Sequence, residues 1–202
     1  MQPNARHLTA WCRARRTYVL GQAGTRIPGM CTGRVRAAVG TALLTALVAC
    51  DSTATADFAP LQRGDQVPAY GAATLAGDSL ALEALAGRPV MLNIWATWCP
   101  PCREEMPALQ TLHDRYDARG LAVVAVSLDA SGADAAAFAE ELGLTMRMLH
   151  DPASRVTRAF RTTGVPETFL IGADGRVVRR WIGAFDPLAD DVIASVESAL
   201  AS

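Results

Sequence analysis

The sequence predicts an α/β fold with a central mixed sheet flanked by helices, and three observations predict it. Two nearly unbroken apolar runs, Val90–Trp95 and Leu121–Leu128, have the composition of strands buried on both faces. Each is followed by a segment of helical periodicity, Pro100 to about Arg119 and Ala133–Leu142. A hairpin pattern and an amphipathic helix close the chain. The order strand, helix, strand, helix, hairpin, helix requires parallel and antiparallel pairs in one sheet.

Ala72–Leu75 and Ser79–Ala81, split by Ala76-Gly77-Asp78, read as an N-terminal hairpin. Pro89 introduces the first buried strand. In the helix that starts at Pro100, Met106, Leu109, Leu112 and Tyr116 share one side, and Pro107 is expected to kink it. Thr145–Leu149 reads as a short extended piece and Ala153–Phe160 as a helix. Thr168–Ile171 and Val177–Ile182 flank Ala173-Asp174-Gly175, a hairpin turn signal, and Leu188–Leu200 is the closing helix.

Charge divides the chain. All twenty Asp and Glu lie from Asp51 onward, whereas the first 49 residues carry seven of the nineteen Arg and no acid; there is no Lys. The acidic remainder, at a formal −8, argues against nucleic acid as a partner, because phosphate binding needs clustered positive charge. Arg34 and Arg36 precede Ala37–Ala49, a short apolar run, in the manner of a secretory signal. As a helix that run would reach roughly 20 Å, short of the ~30 Å hydrocarbon core, which disfavours an uncleaved anchor. Starting at Met30 gives a normal signal, so residues 1–29 are expected to be untranslated upstream sequence. The expected organisation is a targeting segment over 1–49, a tether over 50–61 and one domain over 62–202.

Leu47-Val48-Ala49-Cys50 resembles a bacterial lipobox. The resemblance implies that Cys50 is lipidated, becomes the mature N-terminus and anchors the protein; an ordinary cleaved signal is the alternative. Asp51 after it resembles an inner-membrane retention signal. The expected location is the periplasmic face of the bacterial inner membrane.

Cys99-Pro100-Pro101-Cys102 lies at a strand-to-helix junction. Backbone N–H groups at a helix N-terminus stabilise a thiolate, so Cys99 is the expected attacking sulfur, with Cys102 one turn inside to resolve the mixed disulfide. Pro100 and Pro101 carry no N–H, which leaves mainly those of Cys102 and Arg103 for the thiolate. A thiolate with fewer donors gives a less oxidising couple, hence a reductase rather than an oxidase. A half zinc site would need two more ligands, and only His113 and His150 remain, far apart. As a structural staple, so small a ring would restrict the unfolded chain little. Glu105, three residues after Cys102, falls on the same helical face, where partial burial would raise its pKa. Glu104 should be surface, and Arg103 either assists the thiolate or is solvated.

The run Asn93-Ile94-Trp95-Ala96-Thr97-Trp98-Cys99-Pro100-Pro101-Cys102-Arg103-Glu104-Glu105-Met106-Pro107, with Gly164-Val165-Pro166-Glu167-Thr168-Phe169-Leu170-Ile171 downstream, resembles the TlpA/ResA/CcmG family of membrane-attached thiol–disulfide oxidoreductases. The likeness extends from about Gly64 to the C-terminus. It implies a thioredoxin-like fold with a helical insert, no cofactor beyond the Cys99–Cys102 couple, and no metal. Composition alone favours a trans bond before Pro166; the resemblance implies cis, with Val165 presenting its backbone to a substrate strand. Asn93 stands where thioredoxin has a buried Asp, and Glu105 matches the acid that replaces it as proton acceptor. Trp98 is expected beside the disulfide and substrate, and Glu167 tunes the thiols, contacts substrate or is a mere rim charge.

The partners so implied are proteins with cysteine pairs, such as apocytochrome c, and a membrane electron donor of CcdA/DsbD type; the protein is expected to act as a monomer. Two other functions fit less well. A peroxiredoxin would place Pro at position 92 and Thr at 96, where the chain has Leu92 and Ala96. A copper carrier of the Sco type expects one more residue between the cysteines and a downstream His.

Overall fold

The computed structural model describes residues 59–202. Cys50, the apolar run and the expected start at Met30 lie outside the described residues. The chain forms β1 (Gly71–Thr74), β2 (Ser79–Ala81), β3 (Val90–Trp95), α1 (Pro100–Tyr116), β4 (Ala122–Ser127), α2 (Gly132–Glu141), β5 (Arg147–His150), α3 (Arg155–Ala159), β6 (Glu167–Ile171), β7 (Val177–Ile182) and α4 (Asp190–Leu200).

The seven strands make one sheet in the order β2-β1-β5-β4-β3-β6-β7. Strands β3, β4 and β5 are parallel, and the two hairpins flank them in antiparallel pairing. Parallel neighbours need a crossover, and α1 supplies the one between β3 and β4. The segment α2–β5 follows β4 and contributes a sheet strand as well as a helix. At the β6–β7 turn Gly175 has φ +76°, a conformation glycine adopts without a Cβ clash.

Every residue of β3 and β4 is buried, because both faces of the sheet are covered. Alternation sends Met91, Trp95, Val123 and Ala125 toward α1, α2 and α4. It sends Leu92, Ile94, Val124 and Val126 toward α3 and the N-terminal segment. Trp95 is wholly buried, its ring 5.3 Å from that of Phe138. Burial of a side chain that size contributes about 3 kcal/mol.

Some boundaries differ from expectation. Leu61, assigned to the tether, is buried in the second core and its carbonyl accepts from Arg180 Nη1, so the folded domain already includes it. Helix α1 runs unbroken past Pro107 to Tyr116, then tightens into a 3-10 turn over Asp117–Arg119. Helix α3 is shorter than predicted, because Ser154 at φ +51° delays its start.

Candidate active site

Strand β3 ends at Trp95 and the chain turns through Ala96–Trp98 into α1, so the cysteine pair sits beyond the carboxyl end of a central parallel strand. This is where open α/β sheets place their sites. Cys99 is the N-cap, with extended backbone, and Pro100 and Pro101 occupy the first two helical positions. Cys99 and Cys102 are joined as a disulfide with Cα atoms 5.3 Å apart. Cys102 is fully buried and Cys99 retains 5% exposure, so Cys99 is the sulfur an incoming group can reach. The Arg103 N–H is engaged by the Cys99 carbonyl at 3.2 Å. Of the two donors expected to serve the thiolate, only that of Cys102 is left for the sulfur.

The turn before Cys99 is pinned by a residue the sequence did not single out. Buried Asp129, beyond the end of β4, accepts from the Thr97 N–H at 3.1 Å, the Thr97 hydroxyl at 2.7 Å and the Ser127 hydroxyl at 2.7 Å. Its sequence signal was slight, an acid just after a buried strand. Trp98 is 64% exposed and stands out beside Cys99. Arg103 lies 5.2 Å over the Phe138 ring, and Glu104 is exposed.

Glu105 is 4% exposed, on the same side of the sheet as the disulfide. Asn93 Nδ2 donates to Glu105 Oε1 at 2.6 Å and to the Thr168 hydroxyl at 2.9 Å. Asn93 and Thr168 are register partners across β3 and β6, a pairing not evident from the sequence. Burial pushes the Glu105 carboxyl up to about 7, tempered by the hydrogen bond from Asn93 and by the Phe185 backbone. Glu105 Oε2 is buried without a hydrogen-bond partner among the described residues. The residue also lines a cleft of about 250 Å³ with Pro101, Phe185 and Pro187, which connects it to solvent. A carboxyl that titrates near neutrality one turn from Cys102 can take and return a thiol proton.

The Val165–Pro166 peptide is cis. Pro166 is buried and its carbonyl accepts from the Gly183 N–H at 2.9 Å. Val165 is half-buried. Glu167 corrects the expectation of a substrate or thiol contact. It is fully buried, and it pairs in register with Ile94, whose side chain packs in the core on the far side of the sheet. Alternation along β6 therefore turns Thr168 toward Glu105 and Glu167 away from the cysteines. Leu92 also packs in the far core, whereas Ala96 lies among the residues around the disulfide.

The family model described as the AhpC/TSA family matches residues 63–180. The thiol–disulfide oxidoreductase ResA of Bacillus thuringiensis is 32% identical over 128 residues, 63% of this chain and 74% of that protein. The thioredoxin-like protein YneN of Bacillus subtilis is 38% identical over 118 residues, 57% of this chain and 68% of that one. A solved structure from Chlorobium tepidum, provisionally described as the thiol:disulfide interchange protein DsbE, superposes with a TM-score of 0.65 at 31% identity. That match covers 69% of this chain and 99% of the other. A buried dithiol couple with one reachable sulfur, on a scaffold shared with these proteins, identifies this chain as a member of the AhpC/TSA family and a thioredoxin-like thiol–disulfide oxidoreductase.

Proposed function

We propose that the protein reduces disulfides in other proteins outside the bacterial cytoplasm, held to the membrane by a lipid on Cys50. The observation that carries the direction is the donor-poor N-terminus of α1. Two prolines remove N–H groups there and the Arg103 N–H is already engaged, so the reduced form gains little from thiolate stabilisation.

In the forward reaction the Cys99 thiolate attacks a substrate disulfide, forming a mixed disulfide and releasing one substrate thiolate. Glu105 accepts the Cys102 proton, and Cys102 attacks Cys99 Sγ. The second substrate sulfur leaves as a thiolate and is protonated. Two electrons have passed to the substrate, and the protein is left with the disulfide seen here. A membrane thiol transporter of CcdA/DsbD type would restore the dithiol. Trp98 and the Val165 backbone form the substrate side. The Val165 N–H and carbonyl make no backbone hydrogen bond among the described residues, which leaves them open to an extended peptide. The clients are cysteine pairs such as those of apocytochrome c.

Cys102→Ser expressed in a bacterium should accumulate mixed disulfides through Cys99, and Cys99→Ser should accumulate none. Mass spectrometry of the trapped partners names the client. Trapping by Cys99→Ser instead would overturn the assignment of attacking and resolving sulfurs.

A further inference from the structure

We propose that Glu167 and Arg180 are positioning residues that hold the substrate-side loop Thr163–Pro166 from the far face of the sheet. The inference rests on the reading of Val165 and Trp98 as the substrate side. Glu167 Oε2 accepts from the Thr163 N–H at 2.9 Å and from its hydroxyl at 3.3 Å, closing the chain around Gly164-Val165-Pro166. Glu167 Oε1 accepts from Arg180 Nε at 2.6 Å. Arg180 belongs to β7, lies 5.6 Å over the Phe169 ring and donates to the Leu61 carbonyl at 3.4 Å. The other end of the loop is tied to the same strand's exit through the Pro166 carbonyl and the Gly183 N–H. One carboxylate therefore joins the loop, β6 and β7, while the N-terminal segment is joined through the guanidinium.

Stability does not account for this arrangement. A buried ion pair is often no better than apolar side chains of similar volume, because both charges lose their hydration. This one is also incompletely satisfied, since Arg180 Nη2 is buried with no hydrogen-bond partner among the described residues. A pair that adds little net stability can still select one geometry, and that is the role we assign to this one. The geometry it enforces is that of a loop with open space around Gly164 and, among the described residues, no other side-chain anchor at Thr163. Neither residue reaches the cysteines, so their effect must act on docking and not on sulfur chemistry.

The test compares wild type with Glu167→Gln and with Glu167→Gln/Arg180→Met; the double variant leaves no unpaired buried charge, so it folds even where the single does not. Two readouts are taken: KM and kcat for reduction of insulin, and the rate and pH profile of alkylation of reduced Cys99 by iodoacetamide. We expect KM to rise roughly fivefold or more with kcat within about twofold, and alkylation to stay unchanged. Val156→Ala, a packing loss on the same face, should leave KM as it was. An unchanged KM in both variants overturns the proposal, as does a parallel fall in kcat and alkylation. Trp98→Ala separates the two ideas. If it raises KM while the Glu167 variants do not, the positioning role fails and the docking side stands; if none of them moves KM, the docking side itself is wrong.

Discussion

Replacing Glu105 with Gln should make the oxidised protein more stable at alkaline pH, an unusual outcome for a change at a candidate catalytic position. Burial raises the carboxyl from 4.5 to about 7, so the folded state keeps its proton at pH values where the unfolded chain has lost it. Folding then takes up a proton between the two values, and stability falls as pH rises through that window. Integrated from pH 5 to 8.5, the loss amounts to about 2.5 kcal/mol from this one group. Gln keeps a carbonyl to accept from Asn93 Nδ2 and has no charge to bury. Urea denaturation of both proteins, disulfide intact, should give nearly equal midpoints at pH 5 and a midpoint about 1–2 M higher for the variant at pH 8.5. Turnover should fall roughly 10- to 100-fold, and the limb of the pH–rate profile near 7 should disappear. A wild-type-minus-variant stability difference that is flat with pH would refute the claim that Glu105 is protonated near neutrality.

Asp129→Ala removes the acceptor of the Thr97 N–H and of two hydroxyls, and should cost about 2–3 kcal/mol in urea denaturation. The same variant should speed alkylation of reduced Cys99 as the turn loosens; a loss below about 0.5 kcal/mol would mean the turn holds itself. The reduction potential of the Cys99–Cys102 couple, measured against glutathione, should lie on the reducing side of about −200 mV. A value near the about −120 mV of the strongest oxidants would overturn the donor-poor reading of α1.

The strands were legible because local pattern carries them: Val90–Trp95 and Leu121–Leu128 can only be buried on both faces, and Ala173-Asp174-Gly175 can only turn. The ends of helices were less so. The late start of α3 depends on Ser154 in a left-handed conformation, which no neighbour in sequence announces. At the site, Cys99, Cys102 and Glu105 could be read because their relation is within one helix, where spacing dictates the face. Asp129 and Thr168 could not, since each meets its partner across strands that are distant in the chain.

The redox pair and the side of α1 that bears the acid were therefore readable from residue spacing alone. Tertiary structure decided which polar groups work together. Asn93 is drawn to Glu105 by the β3–β6 register and α1 packing, and burial by that packing pushes the carboxyl up to about 7. The same register turns Glu167 away from the sulfurs and onto Arg180. A strand alternates faces with period two, so two adjacent residues, Glu167 and Thr168, serve opposite sides of the sheet. Which side meets the disulfide is set by the residues across the ladder.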